Sequence, residues 1–348
     1  MKYESKMMLS AQDLSGVQKV QGIAINELLN PQKPLSNVVG VASGVKWSDG
    51  KPTGKPAVIV LVSQKLEESQ IDSAEMVPKE IDGVQTDVLS IGFPYAGECV
   101  SVDAGIQTLA KKARPAKGGY SVGHYKITAG TISTGVYDIL PEGKISPPLN
   151  GIGIPPKTYI LSNNHVLANC NDASIGDPIL QPGPYDGGTN PADLIGNLSR
   201  FIPLTFEPPT PRAQHNNLID AALAEVPFHD IDREIYWSGA VRGWRKKVNV
   251  PVGTLVKKTG RTTNFTTGRI VAINATVDVG YGGGKTARFK DQFIATGMSA
   301  GGDSGSLVTT LDNIAVGLLF AGSTTSTIMN PIENVRSLLK VEVAEQIL

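Results

Sequence analysis

Cysteine is scarce in this 348-residue chain: only Cys99 and Cys170 occur. Histidine is scarcer than its usual functional variety would need, with His124, His165, His215 and His229 as the whole complement. Ligands this few and this scattered cannot assemble a Cys/His metal centre, so no metal and no cofactor is expected. Neither sign of charge dominates, with 32 basic and 32 acidic side chains. A balanced chain has no basic field for nucleic acid and no polybasic patch for a membrane surface. Long apolar runs are absent too, so no transmembrane span is read. The mixed-charge start, Met1 to Lys6, lacks the apolar core of a signal peptide.

What is abundant is glycine and proline, 38 and 23 residues, about 18% together against about 12% in average proteins. That excess favours a turn-rich β protein, and the length allows two domains with a well-buried core.

The most informative string is Gly302-Asp303-Ser304-Gly305-Ser306, which follows Gly301 and runs into the strand-like Leu307-Val308-Thr309. A serine between glycines at a tight turn presents its hydroxyl. The flexible backbone lets two amides face one point, as acyl transfer requires. Gly-Asp-Ser-Gly also occurs in ordinary turns, so the rest of the chain decides its meaning.

A serine nucleophile needs a base. His165 stands where the apolar Tyr159-Ile160-Leu161 run breaks at Asn163-Asn164, which carries an imidazole to a sheet rim. His215 and His229 sit in polar loops and read as solvated, and His124 as a satisfied surface residue. Asp220 is flanked by Leu218-Ile219 and Ala221-Ala222-Leu223. A carboxylate in such a segment needs a hydrogen-bonding partner, and an imidazole N–H is a natural one.

The order His165, Asp220, Ser304, with the strings "LSNNHVLA", "NLIDAAL" and "GGDSGSL", resembles chymotrypsin-like serine proteases. Gly260-Arg261-Thr262-Thr263 and the following glycine-bearing stretch are similar to a string of the bacterial members. "ILSNNHVLA" with "GDPILQPGPYDGG" is closer still to the subgroup that includes the plant narrow-leaf type proteases. The resemblance spans roughly residues 120–330. It implies two six-stranded antiparallel β-barrels with the site in the cleft between them, whereas periodicity alone says only many short strands.

The resemblance also assigns roles. Ser304 would be the nucleophile, His165 the base and Asp220 its orienting carboxylate. The backbone amides of Gly302 and Ser304 would form the oxyanion hole. Met298, Ser299 and Gly322 would line the pocket for the residue before the cut. No carboxylate appears there, so an uncharged apolar residue is expected. Asp303 would be buried under the turn and paired with Arg261, so that the hole forms without proteolytic activation.

The departures are local. Val166 and Ala300 replace cysteines of the digestive enzymes, and Ser306 replaces a glycine. Phe320 stands where a serine usually supports the triad carboxylate. Loss of the family's cysteines points to a reducing compartment, hence the cytoplasm.

Ahead of this region, residues 10–29 read as a helix, with Leu14, Val17, Val20, Ile23 and Leu28 mostly on one face. The runs 38–45, 57–62 and 84–89 read as strands. Residues 1–100 are therefore expected to form a small α/β domain. A basic linker, 101–119, would lead into the protease domain, 120–348. Lys111, Lys112, Arg114 and Lys117 should be exposed. They form either a plain connector or a site whose cutting releases the protease from the first domain, which could also receive a regulatory partner. No feature sets an oligomeric state.

Val271, Ile273, Ala275, Val277 and Val279 alternate as one strand face. The glycine run around Tyr281 reads as a mobile hairpin tip, since no phosphate-binding helix follows it. A helix from Pro331 to Leu339 closes the chain. An α/β-hydrolase-type esterase is excluded, because it wants a helix after the serine and its histidine last. The reading is a serine endopeptidase acting on protein or peptide. The alternative is a catalytically silent relative that binds peptide in the same cleft.

Overall fold

The computed structural model describes residues 4–97, 109–127, 129–139 and 155–344; Cys99 and linker residues 101–108 lie outside the described residues.

Helix α1 (Ser15–Leu28) is shorter than the pattern suggested. The Ser10 amide and hydroxyl both donate to Asp13 Oδ2 at 2.7 Å, closing a turn ahead of the helix. Leu14, Val17, Val20, Ala24 and Leu28 are buried, while Ile23 is 40% exposed and falls off that face. Strands β1 (Val38–Ser48) and β2 (Lys51–Val62) form a hairpin over Asp49-Gly50. Both turn residues have positive φ, the conformation that Asp-Gly hairpins favour. Short β3 (Glu80–Ile81) leads into β4 (Val84–Ser90), which runs parallel to β2. The apolar run Ala57–Val62 therefore lies between two strands, buried throughout.

The expected linker is packed down where it is described. Leu109 is fully buried, and residues Ala116–Gly118 pair with the strand Ile231–Ile235. Lys111 and Lys112 are exposed, as expected, while Arg114 and Lys117 are half-buried, and three of these four cations have partners. Lys112 meets Asp193 at 3.0 Å, Lys117 meets Glu234 at 2.7 Å, and Arg114 bonds to Gln181.

Next come β5 (Ser121–His124), β6 (Gly130–Thr131), β7 (Gly135–Asp138) and β8 (Thr158–Ser162). The one-turn helix α2 (Asn164–Leu167) precedes β9 (Pro178–Leu180), β10 (Leu194–Phe201) and β11 (Ala222–Val226). β6 pairs with β5 and β7 with β8, so residues 130–138 act as one bent strand. Counted as one, it closes a six-stranded antiparallel ring through β8, β11, β10, β9 and back to β5.

A second ring follows. Its strands are β12 (Leu255–Gly260), β13 (Asn264–Gly280), β14 (Thr286–Thr296), β15 (Leu307–Thr310), β16 (Ile314–Gly322) and β17 (Ser326–Pro331). The order β12-β13-β14-β17-β16-β15 returns to β12, antiparallel at every step. The fold is thus mainly β, two six-stranded barrels of the chymotrypsin-like kind with an α/β region in front.

That region is fused to the second barrel: β1 pairs antiparallel with β13. One apolar core accordingly joins Val17, Val20, Val41 and Val60 to Ile273, Phe293, Val308 and Met329. The simple alternation expected along β13 does not hold. The register slips near Asn274, which has φ 53°, and Ile273 then joins one core while Ala275, Val277 and Val279 join another. Helix α3 (Ile332–Leu339) and β18 (Val341–Glu342) return the chain to β7.

Candidate active site

β8 ends at Ser162, and two asparagines then spend their side chains on neighbouring backbone. Asn163 donates to the Asp220 carbonyl at 2.7 Å, and Asn164 donates to the Ile202 carbonyl at 2.8 Å. This bends the chain into α2 and fixes His165 on it. His165 Nδ1 lies 2.6 Å from Asp220 Oδ2, and the His165 amide donates to Asp220 Oδ1 at 3.2 Å. Asp220 is fully buried. Its own amide donates to Asn330 Oδ1 at 3.0 Å. Asn330, which precedes α3, is thus committed to Asp220 rather than to capping that helix.

Asp220 has a further partner that sequence reasoning missed. The Tyr281 hydroxyl donates to Oδ2 at 2.7 Å, and its ring meets His165 edge-on at 5.9 Å. Burial, with Asp220 beside it, holds the Tyr281 hydroxyl well above its ordinary pKa, so it remains a donor. The supposedly mobile glycine tip therefore plants its one aromatic in the core. Phe320, at the position where the resemblance expects a supporting serine, packs its ring on Phe289 at 4.5 Å. A lone tyrosine among glycines was the available cue.

Ser304 sits across Gly130-Thr131 from α2. The Thr131 amide donates to the Ser304 carbonyl at 2.8 Å, and a Cβ on Gly130 would strike both Val166 and the Ser304 carbonyl. Ser304 Oγ donates to the Phe320 carbonyl at 3.4 Å, and His165 Nε2 makes no hydrogen bond among the described residues. The structure brings His165 and Asp220 into direct contact and leaves the Ser304–His165 hydrogen bond unmade.

The turn before Ser304 is closed by Asp303 N–H donating to Ala300 O at 3.0 Å, with Gly302 at φ 97°. That φ suits glycine. The Thr262 hydroxyl donates to the Gly301 carbonyl at 2.7 Å and the Thr131 hydroxyl to the Gly302 carbonyl at 2.8 Å. With both carbonyls tied down, the Gly302 and Ser304 amides are left without an acceptor among the described residues.

Asp303 is buried beneath this turn, but its cation is not Arg261. Lys258 Nζ lies 3.1 Å from Oδ2. The Thr262 and Thr263 amides donate to Oδ1 at 2.8 and 3.1 Å, and the Ala300 amide and Thr263 hydroxyl donate to Oδ2. Those donors fill the carboxylate. Burial pushes the Lys258 ammonium below its ordinary pKa, and Asp303 opposes that shift. Arg261, equally buried, turns to the first barrel and forks onto Asp186, its Nε 2.8 Å from Oδ2. The tyrosine before Asp186 lies against the guanidinium, with Tyr185's ring centre 5.1 Å away.

A cavity of about 260 Å³ opens beside Ser304, lined by Ser299, Ala300, Gly301, Ala321 and Gly322, with no charged side chain among the described residues that line it. Met298 is not part of it: its side chain is buried in the core shared with α1. Of the remaining histidines, His215 is fully buried rather than solvated, bonded to the Thr210 carbonyl and the Arg288 amide. His124 is also buried, 3.0 Å from Asp177. Burial pushes the Cys170 thiol up to about 12. Among the described residues no His/Cys/Asp/Glu group could hold a metal ion, and no helix is long and apolar enough to cross a membrane.

Residues 27–91 match the family described as the NARROW LEAF 1 N-terminal domain, under a fifth of the chain. Among curated proteins no sequence match is found. Solved structures that are similar include Thermobifida fusca protease A, at 16% identity and TM-score 0.43, covering 66% of this chain and 98% of that one. The Nocardiopsis protease is 17% identical at TM-score 0.43, with 65% and 97% covered. Cellulomonas bogoriensis chymotrypsin is 17% identical at TM-score 0.42, with 66% and 98% covered.

Proposed function

We propose that this chain is a serine endopeptidase. What supports the reading most is His165, held through Nδ1 by a buried carboxylate while Nε2 has no hydrogen-bond partner among the described residues. In the proposed reaction Ser304 Oγ leaves the Phe320 carbonyl, gives its proton to His165 Nε2 and bonds to the scissile carbonyl carbon. The oxygen that becomes negative is received by the Gly302 and Ser304 amides. Collapse of that intermediate breaks the C–N bond, and His165 returns the proton to the leaving amine. Water, giving a proton to His165, then attacks the Ser304 ester carbon; the C–O bond to Ser304 breaks, His165 returns the proton to Ser304 Oγ, and the new carboxylic acid is released. Asp220 keeps the tautomer and stabilises the imidazolium. The described lining of the cavity, which carries no charge, suits a small-to-medium apolar side chain before the cut.

A fluorophosphonate probe should label the protein and fail to label Ser304→Ala. Peptide hydrolysis should fall by several orders of magnitude in Ser304→Ala and His165→Ala, and by about 10⁴-fold in Asp220→Asn. Undiminished hydrolysis by purified Ser304→Ala removes the proposal. Properly folded wild-type protein that neither labels nor cleaves a peptide library leaves the peptide-binding alternative.

A further inference from the structure

Residues 93–97 follow β4 and run along the second barrel to the cavity beside Ser304. There Tyr95 joins two strand ends at once. Its amide donates to the Gly322 carbonyl at 3.0 Å, and its carbonyl accepts the Gly322 amide at 3.2 Å, a reciprocal antiparallel pair. On its other side the Gly280 amide donates to the Pro94 carbonyl at 3.0 Å, and the Ala96 amide donates to the Gly280 carbonyl at 2.9 Å. The Tyr95 ring lies against Gly280 and its hydroxyl over Gly282, where side chains would collide with it.

Gly322 ends β16, the strand whose Phe320 carbonyl receives the Ser304 hydroxyl. One edge of Gly322 is paired with β17 and the other with Tyr95. A backbone aligned with that second edge advances about 3.3 Å per residue toward the nucleophile. Gly97, two residues past Tyr95, lines the same cavity as Ser304. Having no side chain, it leaves that cavity unfilled.

If Ser304 is the nucleophile, as proposed above and as this inference requires, an extended peptide reaches it by adding a strand to that edge. We infer that residues 94–97 are an intramolecular occupant of the peptide-binding edge, and that extended substrates must displace them. A tethered occupant competes at an effective concentration on the order of millimolar, so few contacts suffice to hold back a dilute substrate.

Two probes separate the possibilities. A small fluorophosphonate needs only Ser304 and should label wild type and Tyr95→Pro alike. A phosphonate carrying three amino acids on its acyl side needs the edge. It should label Tyr95→Pro, which lacks the amide bonded to Gly322, at least about tenfold faster than wild type. Equal rates, or no reaction of the peptidyl probe with either protein, overturn the inference while leaving the protease reading intact. Failure of the fluorophosphonate on both folded proteins overturns the two together. Because the proline variant could misfold, hydrogen exchange on wild type gives an independent test. Reaction with the peptidyl phosphonate should deprotect the Tyr95 and Ala96 amides, and retained protection in the adduct overturns the inference.

Discussion

Asp220 accepts from His165 and Tyr281 on the same carboxylate oxygen, at 2.6 and 2.7 Å. The phenol is the only hydroxyl among these contacts, and its removal leaves the ring packing in place. Tyr281→Phe should therefore cost about 1.5–3 kcal/mol, the usual worth of a hydrogen bond to a charged group. If half of this is felt at the transition state, kcat falls by roughly three- to tenfold. Steady-state kinetics beside urea unfolding separates the two effects, and an unchanged kcat would show that Asp220 does not need the phenol. Tyr281 also shows where sequence reading stops. His165, Asp220 and Ser304 each announce themselves within a few neighbours, through an apolar run that breaks, an isolated carboxylate and a glycine turn. Tyr281 reaches Asp220 from another barrel, and no neighbour of either residue encodes that meeting. Arg261 went astray for the same reason. Its local string placed it near Asp303, but Thr262, Thr263 and Lys258 had already taken the acceptors.

β12 contributes Lys258 to the underside of the turn that carries Ser304, so a strand and a loop are tied by one buried ion pair. Losing one partner of such a pair typically costs about 3–5 kcal/mol, because a charge is left without compensation. Lys258→Met should be destabilised to that extent in urea. Asp303→Asn should cost less in the Lys258→Met background than in wild type, since there the orphaned charge goes with it, although the carboxylate's other donors lose an acceptor in both. An equal cost in the two backgrounds would contradict the pairing. At this level the sequence was legible where periodicity is local. β2 read as central because its apolar run is unbroken, and it is flanked by β1 and β4. β13 was misread because a bulge shifts its facing side, and such a slip is set by its partners rather than by its own residues. The bent strand at 130–138 was hidden because its two paired parts are too short to show alternation.

Helix α1, β1 and β2 share a core with the second barrel, and β1 continues its sheet. The α/β region and that barrel should then unfold together. Far-ultraviolet circular dichroism and tryptophan fluorescence, the latter seeing Trp47 in the α/β region and Trp244 beneath α3, should give coincident urea transitions. Two separated transitions would show that the shared core does not couple them. Composition and the resemblance made the double barrel legible, but the fusion of β1 to β13 was not, since nothing in residues 38–48 names a partner so far along the chain.

That distance has a consequence during synthesis. Gly40 pairs with Val277, more than 200 residues later. At about 5–20 residues per second the ribosome needs roughly 10–50 s to deliver the partner. Throughout that interval β1 presents an open strand edge and an apolar face, both ready for another nascent chain. Helix α1 and strands β2 and β4 are neighbours made early enough to shield it. Substitutions that weaken their packing should show first as aggregation of newly made protein, before any loss is visible in the purified, finished molecule.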